Sequence, residues 1–195
     1  MKPVLILYAT RQGHTHRIAE YMVARLMAQG VSSDMVDAAH VSGQTSFDRY
    51  SAAFICSSVH MGKHESEIAA LVKHHRKELE NLPTAFLSVS LSEAAVENPT
   101  ADPARREQAK ADVERMINEF LKETGWRPKK IKAVGGALQF TKYNFVLRFI
   151  MQRISEKAGG DTDTSHDYEY TDWDAVDSFV DQVIKGVDDG VGVSA

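Results

Sequence analysis

The chain has 195 residues, 43% hydrophobic and 26% charged, with a formal net charge of −4. That length suits one well-buried domain rather than two independent cores, the acidic balance excludes broad nucleic-acid affinity, and no apolar run reaches the eighteen or more residues of a spanning helix. The opening "MKPVLILYATRQG" reaches charge too early for a secretion signal and lacks a small-residue cleavage site, and the single cysteine, Cys56, forbids an intramolecular disulfide and fits a reducing cytoplasm.

The first apolar run, Val4 to Thr10, reads as a strand. A helix follows in which Ile18, Ala19, Met22, Val23 and Leu26 share a face and Gly30 supplies a left-handed stop. Further strands are expected at Ser33 to Ala38, Ala52 to Val59, Thr84 to Ser90 and Ile131 to Leu138. Cys56 lies inside the third of these five runs, where a small buried core residue is the simplest reading. Between the third and fourth runs Ile68, Val72, His75 and Leu79 recur at helical spacing before "NLP" breaks the pattern. Asp102 caps a long helix with Pro103 at its first position and Gly125 at its end. A last helix spans Asp172 to Gly186, burying Val176, Phe179, Val180, Val183 and Ile184, with Thr171 and Asp174 spaced for a capping box; the tail from Val187 is expected to fray. Continuous hydrophobicity in the first, third and fourth strands marks strands covered on both faces, so the expectation is a doubly wound α/β domain with a five-stranded parallel sheet.

The loop "TRQGHT" carries the first functional signal. Thr10, Gly13 and Thr15 surround a tight turn that brings the backbone N–H groups of Gln12 through His16 to a helix N-terminus. Free N–H groups and the positive end of the helix dipole form an anion site, to which hydroxyls add neutral donors. Alternatively, the two threonines cap a helix and do nothing more. The three-glycine dinucleotide fingerprint and the Gly-Lys-Ser/Thr of a nucleotide-triphosphate loop are both missing.

"TRQGHT" resembles the phosphate loop of flavodoxins, Thr/Ser-x-Thr-Gly-x-Thr, with Gln12 where a threonine is usual. That resemblance implies a 2-1-3-4-5 sheet order, with the ring of a flavin enclosed by the loops after strands three and four, here "SSVHMGKHES" and "SLSEAAVENPTADP". The likeness sharpens with "WRP", "GAL", a tyrosine and basic insert, "GGDTDT" and "YTDW". Together with "ILYATRQGHT", "SSVHMGKHES" and "LPTAFLSVSL", these resemble the flavodoxin-like, menaquinone-dependent protoporphyrinogen IX dehydrogenases of bacterial haem biosynthesis. The implied organisation is a flavodoxin-like FMN-binding domain over residues 1–187 with an insert at 139–171 and a flexible tail at 188–195. The implied FMN-binding residues are Thr10, Arg11, Gln12, Gly13, His14, Thr15, Ser58, Val59, His60, Met61, Gly62, Ser90, Leu91 and Ser92.

The insert between the last strand and the last helix is long for a minimal five-stranded domain. Its centre, "YNFVLRFIMQRISEK", reads as a helix with Phe145, Val146, Phe149, Ile150 and Ile154 on one apolar face and Arg148, Gln152, Ser155 and Glu156 opposite. Lys142, Arg148, Arg153 and Lys157 make it locally basic. Either the apolar face packs on the domain's own body, or the helix suits a membrane surface or a substrate that carries apolar rings and carboxylates. Under the resemblance, Lys63, Lys142, Arg148 and Arg153, with Arg11, are candidates to meet propionates. His14, His16, His60 and His64 fall near the proposed flavin, and His74 and His75 on a solvated helix; no histidine spacing predicts a metal site, and "GGDTDT" lacks the pattern of a calcium loop.

The resemblance implies oxidation of protoporphyrinogen IX with a quinone, menaquinone or ubiquinone, as acceptor. The expected location is the cytoplasm, peripherally on the inner face of the cell membrane through residues 142–157; a homo-oligomer is compatible with the sequence. Two other functions share these loops: a flavodoxin-type electron carrier, against which the basic insert and "HMGKH" argue, and an NAD(P)H-dependent quinone reductase. A non-flavin phosphate-binding module is a further alternative. No acid or base residue stands out, so no catalytic residue is assigned.

Overall fold

The expected apolar runs lie side by side in one sheet. The computed structural model describes residues 2–41, 46–158 and 160–191. The first half runs through β1 (Val4–Ala9), α1 (His14–Ala28), β2 (Ser33–Asp37), β3 (Ala52–His60), β4 (Lys63–His64), α2 (Ser66–His74), α3 (Arg76–Glu80) and β5 (Thr84–Ser90). The second half follows with α4 (Leu91–Glu97), α5 (Pro103–Thr124), β6 (Lys130–Gly135), β7 (Ala137–Leu138), α6 (Phe145–Ala158), β8 (Tyr168–Glu169) and α7 (Trp173–Val191). The main sheet has the order β2-β1-β3-β5-β6, all pairs parallel, with the two-residue β4 folded back antiparallel on β3. With β4 set aside, this is the expected 2-1-3-4-5 order.

Alternation along the central strands explains why their apolar runs are continuous instead of alternating with polar residues. Val4, Ile6, Phe54, Cys56, Ala85 and Leu87 face α1 and α7, joining Ile18, Met22, Val176 and Val180. Leu5, Leu7, Ile55 and Phe86 face the other way, among Ile68, Val72, Phe120 and Trp126 of α2, α5 and the segment after it. A strand buried on both faces favours apolar residues throughout, and the polar exceptions Ser57, Thr84, Ser88 and Ser90 are themselves buried. Cys56 is fully buried among these side chains, and burial pushes its thiol up to about 12, as expected of an inert core residue.

Several boundaries differ from the sequence-based expectation, each for a local reason. The fifth strand of the main sheet stops at Gly135 instead of Leu138, because the chain turns at Gly136, and Ala137 and Leu138 pair antiparallel with Glu169 and Tyr168. Gly135 has to be glycine: a Cβ there would sit 2.5 Å from the Tyr170 carbonyl oxygen. The helix expected through Ile68 to Leu79 breaks at His75, which is buried instead of solvated, lies tilted against the Phe47 ring and bonds Glu78 Oε1 through Nδ1 at 3.0 Å. The capping box at Thr171 gives way to Asp172, whose Oδ1 accepts from Ala175 N at 2.9 Å. Val187 extends the apolar stripe of α7, so the helix continues to Val191 where fraying was expected; residues 192–195 of that tail lie outside the described residues.

The insert has a small core of its own. Leu138, Phe140 and Tyr143 are buried against Leu91, Leu147, Met151, Tyr168 and Tyr170. Thus α6 is seated by Leu147 and Met151, while Phe145, Val146, Phe149 and Ile150 remain 83%, 53%, 56% and 47% exposed. The expected apolar face exists and does not pack on the domain body. The side chains of Ile154 and Lys157 lie outside the described ones.

Candidate functional site

Parallel pairing brings the C-terminal ends of β1, β3 and β5 together. Ala9 is in register with Ser57, Ser58 with Val89, and Ser90 with Gly135. Residues 10–15, 58–62 and 90–92 therefore rise from three neighbouring strands along one edge of the sheet, where ligands of open α/β sheets bind.

The first segment is built as an anion cradle. Gly13 stands at the N-cap of α1 in the left-handed conformation, φ 86°, and no side chain caps the helix. Thr10 Oγ1 accepts from Gly13 N at 3.1 Å, which closes the turn beneath the helix start. Simple capping by the two threonines is therefore not what this loop does. Thr15 Oγ1 and His14 Nδ1 are both buried and have no hydrogen-bond partner. Buried polar atoms are nearly always paired, so two orphans beside an uncapped helix start fit an anionic ligand such as a phosphate. Burial holds the imidazole of His14 below its ordinary range, with Arg17 and Lys142 adding to this and Glu169 opposing it.

Neighbouring elements brace this loop. Arg11 Nε donates to Glu65 Oε2 at 2.8 Å, and Ser58 Oγ donates to Glu65 Oε1 at 2.8 Å, so one buried carboxylate ties the loop to the end of β3. From the insert, Tyr143 Oη donates to Gln12 Oε1 at 2.9 Å. Thr171 Oγ1 lies 2.7 Å from His14 Nε2 and donates to the Gly135 carbonyl at 2.8 Å. Arg17 pairs with Glu169 and lies over the Trp173 ring. Glu65, Tyr143 and Thr171 lie within segments that carry the family resemblance, but their contacts with the loop are made only in the folded chain.

The second segment turns sharply. His60 pairs with Lys63, and Met61 and Gly62 between them take φ values of 50° and 78°, the pattern of a two-residue I′ hairpin. This presents Met61 at 91% exposure, with Val59 and His60 partly exposed beneath it. His64 turns the other way: it is buried between Phe86 and Phe120, with Nε2 2.9 Å from Ser88 Oγ, so it supports the hairpin from below. The third segment is a helix, where the sequence read as a loop. Ser90 Oγ accepts from Glu93 N at 3.1 Å to cap α4, Leu91 packs on the insert, and Ser92 is partly exposed.

Of the five cations expected to meet a substrate, Arg11 is held by Glu65, and the other four differ in circumstance. Lys63 and Lys142 are exposed. Arg153 bonds Glu156 at 2.8 Å and lies over the Phe149 ring. Arg148 is committed to the backbone, donating from Nε to Phe140 O at 2.9 Å and from Nη2 to Tyr143 O at 3.3 Å. Among the described residues no group of three or more histidine, cysteine or acidic side chains comes together as for a metal ion, and no helix is long and apolar enough to cross a membrane.

A family described as a flavodoxin domain matches residues 5–165. Protoporphyrinogen IX dehydrogenase [quinone] from Escherichia coli strain K12 is 31% identical over 92% of this chain and 93% of its own length. The protein of that name from Leishmania major is 31% identical over 90% of this chain and 71% of its own. The chain belongs to the flavodoxin-like protoporphyrinogen IX dehydrogenase family. It is an oxidoreductase whose cofactor is a flavin, and the cradle at Thr10 to Thr15 fits a flavin's phosphate. Solved structures bear out the fold at much lower identity. A short-chain flavodoxin associated with a bacterial microcompartment aligns with a TM-score of 0.58 at 12% identity, covering 96% of this chain and 99% of its own. Rubredoxin oxygen:oxidoreductase from Desulfovibrio gigas aligns at 0.55 and 10% identity, covering all of this chain and 38% of its own.

Proposed function

We propose that this chain oxidises protoporphyrinogen IX to protoporphyrin IX, with FMN as its flavin and a quinone, menaquinone or ubiquinone, as electron acceptor, in haem biosynthesis. The observation that carries the reading is the 31% identity to the Escherichia coli dehydrogenase over 92% of the chain, a span too long to leave out the insert. Thr10, Gln12, Gly13, His14 and Thr15 would hold the FMN phosphate. The turn at His60 to Gly62 and the segment Ser90 to Ser92 would flank the ring from the ends of β3 and β5. Bound FMN supplies the two-electron acceptor that no side chain here provides. The tetrapyrrole gives up its hydrogens in three two-electron steps, and each quinone that accepts a pair of electrons with two protons leaves as a quinol.

Lys63 and Lys142 are the exposed cations available for the propionates, with Arg153 partly engaged by Glu156. Arg148 shapes the insert through its two carbonyl bonds, so Lys142 is the first residue to mutate. The exposed stripe of Phe145, Val146, Phe149 and Ile150, flanked by Lys142 and Arg153, supports peripheral contact with the inner face of the cell membrane, where a quinone dissolves.

The test is anaerobic mixing of FMN-loaded protein with protoporphyrinogen IX, followed by addition of menaquinone. Flavin bleaching followed by quinone-dependent growth of porphyrin fluorescence is expected, with KM raised roughly tenfold by Lys142→Ala. A flavin that binds but is not bleached by the porphyrinogen refutes the proposal. Consumption of NAD(P)H would then identify a nicotinamide-driven quinone reductase, and its absence an electron carrier.

A further inference from the structure

We infer that Tyr143 and Thr171, at the two ends of the insert, are positioning residues that fix which atoms Gln12 and His14 turn toward the cofactor phosphate. The inference rests on the reading of Thr10 to Thr15 as a phosphate loop. It follows from the direction of each hydrogen bond. The Tyr143 hydroxyl lies 3.1 Å from Gln139 N, and a backbone N–H only donates, so the hydroxyl oxygen accepts there and its proton goes to Gln12 Oε1 at 2.9 Å. The carbonyl end of the Gln12 amide is thereby held toward the insert, and its NH2 end, a pure donor, is left for an anion. This is the position where the flavodoxin loop carries a hydroxyl, which needs no such orientation because it rotates to donate.

The second contact has the same logic. The Gly135 carbonyl only accepts, so the Thr171 hydroxyl donates to it at 2.8 Å and offers its lone pair to His14. Nε2 of His14 therefore donates to Thr171, and the unpartnered Nδ1 can donate to an anion only when the ring holds its second proton, which the charge of a bound phosphate would favour. Both hydroxyls are themselves fixed. Tyr143 is buried with its backbone carbonyl bonded by Arg148, and Thr171 immediately precedes the Asp172 cap of α7. Neither residue needs to touch the ligand. Each acts through a loop side chain, and the insert thus reaches the phosphate without contributing a ligand to it.

The experiment titrates ligand-free, full-length protein with FMN, following the quenching of flavin fluorescence. Tyr143→Phe, which removes only the hydroxyl, is expected to weaken FMN about five- to tenfold, the worth of one misdirected donor. In a Gln12→Leu background the same substitution is expected to change affinity less than about twofold, because no amide remains to orient. An equal loss in both backgrounds makes Tyr143 merely structural and overturns the inference, as does a Tyr143→Phe protein that binds as tightly as wild type. Failure of the wild-type chain to bind FMN would instead overturn the phosphate-loop reading beneath it. Should the tyrosine variant not fold, Thr171→Val measured with and without His14→Gln closes an equivalent cycle: a loss confined to the His14 background supports the inference, and an equal loss in both overturns it.

Discussion

His64 offers the sharpest check on how the hairpin at Met61 and Gly62 is held. It is 9% exposed, closes β4 against Val59, and sits between the rings of Phe86 and Phe120 at 5.1 and 5.0 Å. Burial lowers its pKa from an ordinary 6.5 to about 4. Between those values the unfolded chain binds a proton that the folded chain refuses, so stability falls as pH falls through this window. The whole contribution is present above about pH 6.5 and is gone by about pH 4, a loss of about 3 kcal/mol at 1.36 kcal/mol per unit. Urea unfolding of wild type and His64→Gln at pH 7, 5.5 and 4 isolates it, since other titrating groups act equally on both proteins. At pH 7 the variant is expected to be the weaker, having lost its packing between two rings. By pH 4 its disadvantage should shrink or reverse by about 3 kcal/mol. Parallel pH dependence in the two proteins would mean that the imidazole is not held neutral, and the support for the turn at Met61 and Gly62 would need another source.

Three further perturbations probe other parts of the site. Glu97 has its carboxyl raised to about 7 by burial and by the charges of Glu93 and Asp172, against Lys132 and the Gly135 N–H; stability from this group is therefore lost as pH rises from 4.5 to 7. Because it is half exposed, solvent screening limits the loss to about 1 kcal/mol, and Glu97→Gln should be more stable than wild type at pH 8 but not at pH 5, as read by urea unfolding. Gly135→Ala places a methyl 2.5 Å from the Tyr170 carbonyl oxygen and should cost about 2 kcal/mol, with faster hydrogen exchange at Tyr170 N, which bonds Gly136 O at 3.0 Å. Phe145→Ser with Phe149→Ser should abolish co-sedimentation with anionic phospholipid vesicles while leaving the circular dichroism unchanged, because both rings are exposed. Retained vesicle binding would exclude this face from membrane contact.

What the sequence disclosed and what it withheld divide along physical lines. The central strands were legible because double-sided burial leaves continuous apolar runs, Val4 to Ala9 in full and Ala85 to Leu87 within Thr84 to Ser90. Asp102, Pro103, Gly30 and Gly125 were legible because caps and left-handed stops are decided within one turn of helix. The hairpin at Met61 and Gly62 was not, since it lacks the Asn-Gly or Asp-Gly pair that usually announces a I′ turn. Nor was α4, a seven-residue helix whose start is set by one Ser90 hydroxyl and whose Leu91 packs on an insert far along the chain. Glu65, Tyr143 and Thr171 lay beyond reach because their meaning is a contact: Tyr143 and Gln12 are 131 residues apart. The loop motif pointed to an anion site and could not show which residues hold the loop still.

The exposed face of α6 and the braced phosphate loop are consequences of one rotation of that helix. Leaving Phe145, Val146, Phe149 and Ile150 in water forgoes about 1.5–3 kcal/mol for each that full burial would contribute. A turn of the helix about its axis by one residue position, ~100°, would bring part of that stripe inward. It would also carry Leu147 and Met151 out of the insert core and draw Arg148 from the carbonyls of Phe140 and Tyr143. Those two bonds hold the backbone from which the Tyr143 hydroxyl reaches Gln12. Burying the apolar stripe would therefore release Gln12, the glutamine of the proposed phosphate loop. The helix keeps its apolar stripe outward and its arginine inward, and a sequence that made α6 uniformly polar outside could preserve the loop while losing any surface that an apolar partner could recognise.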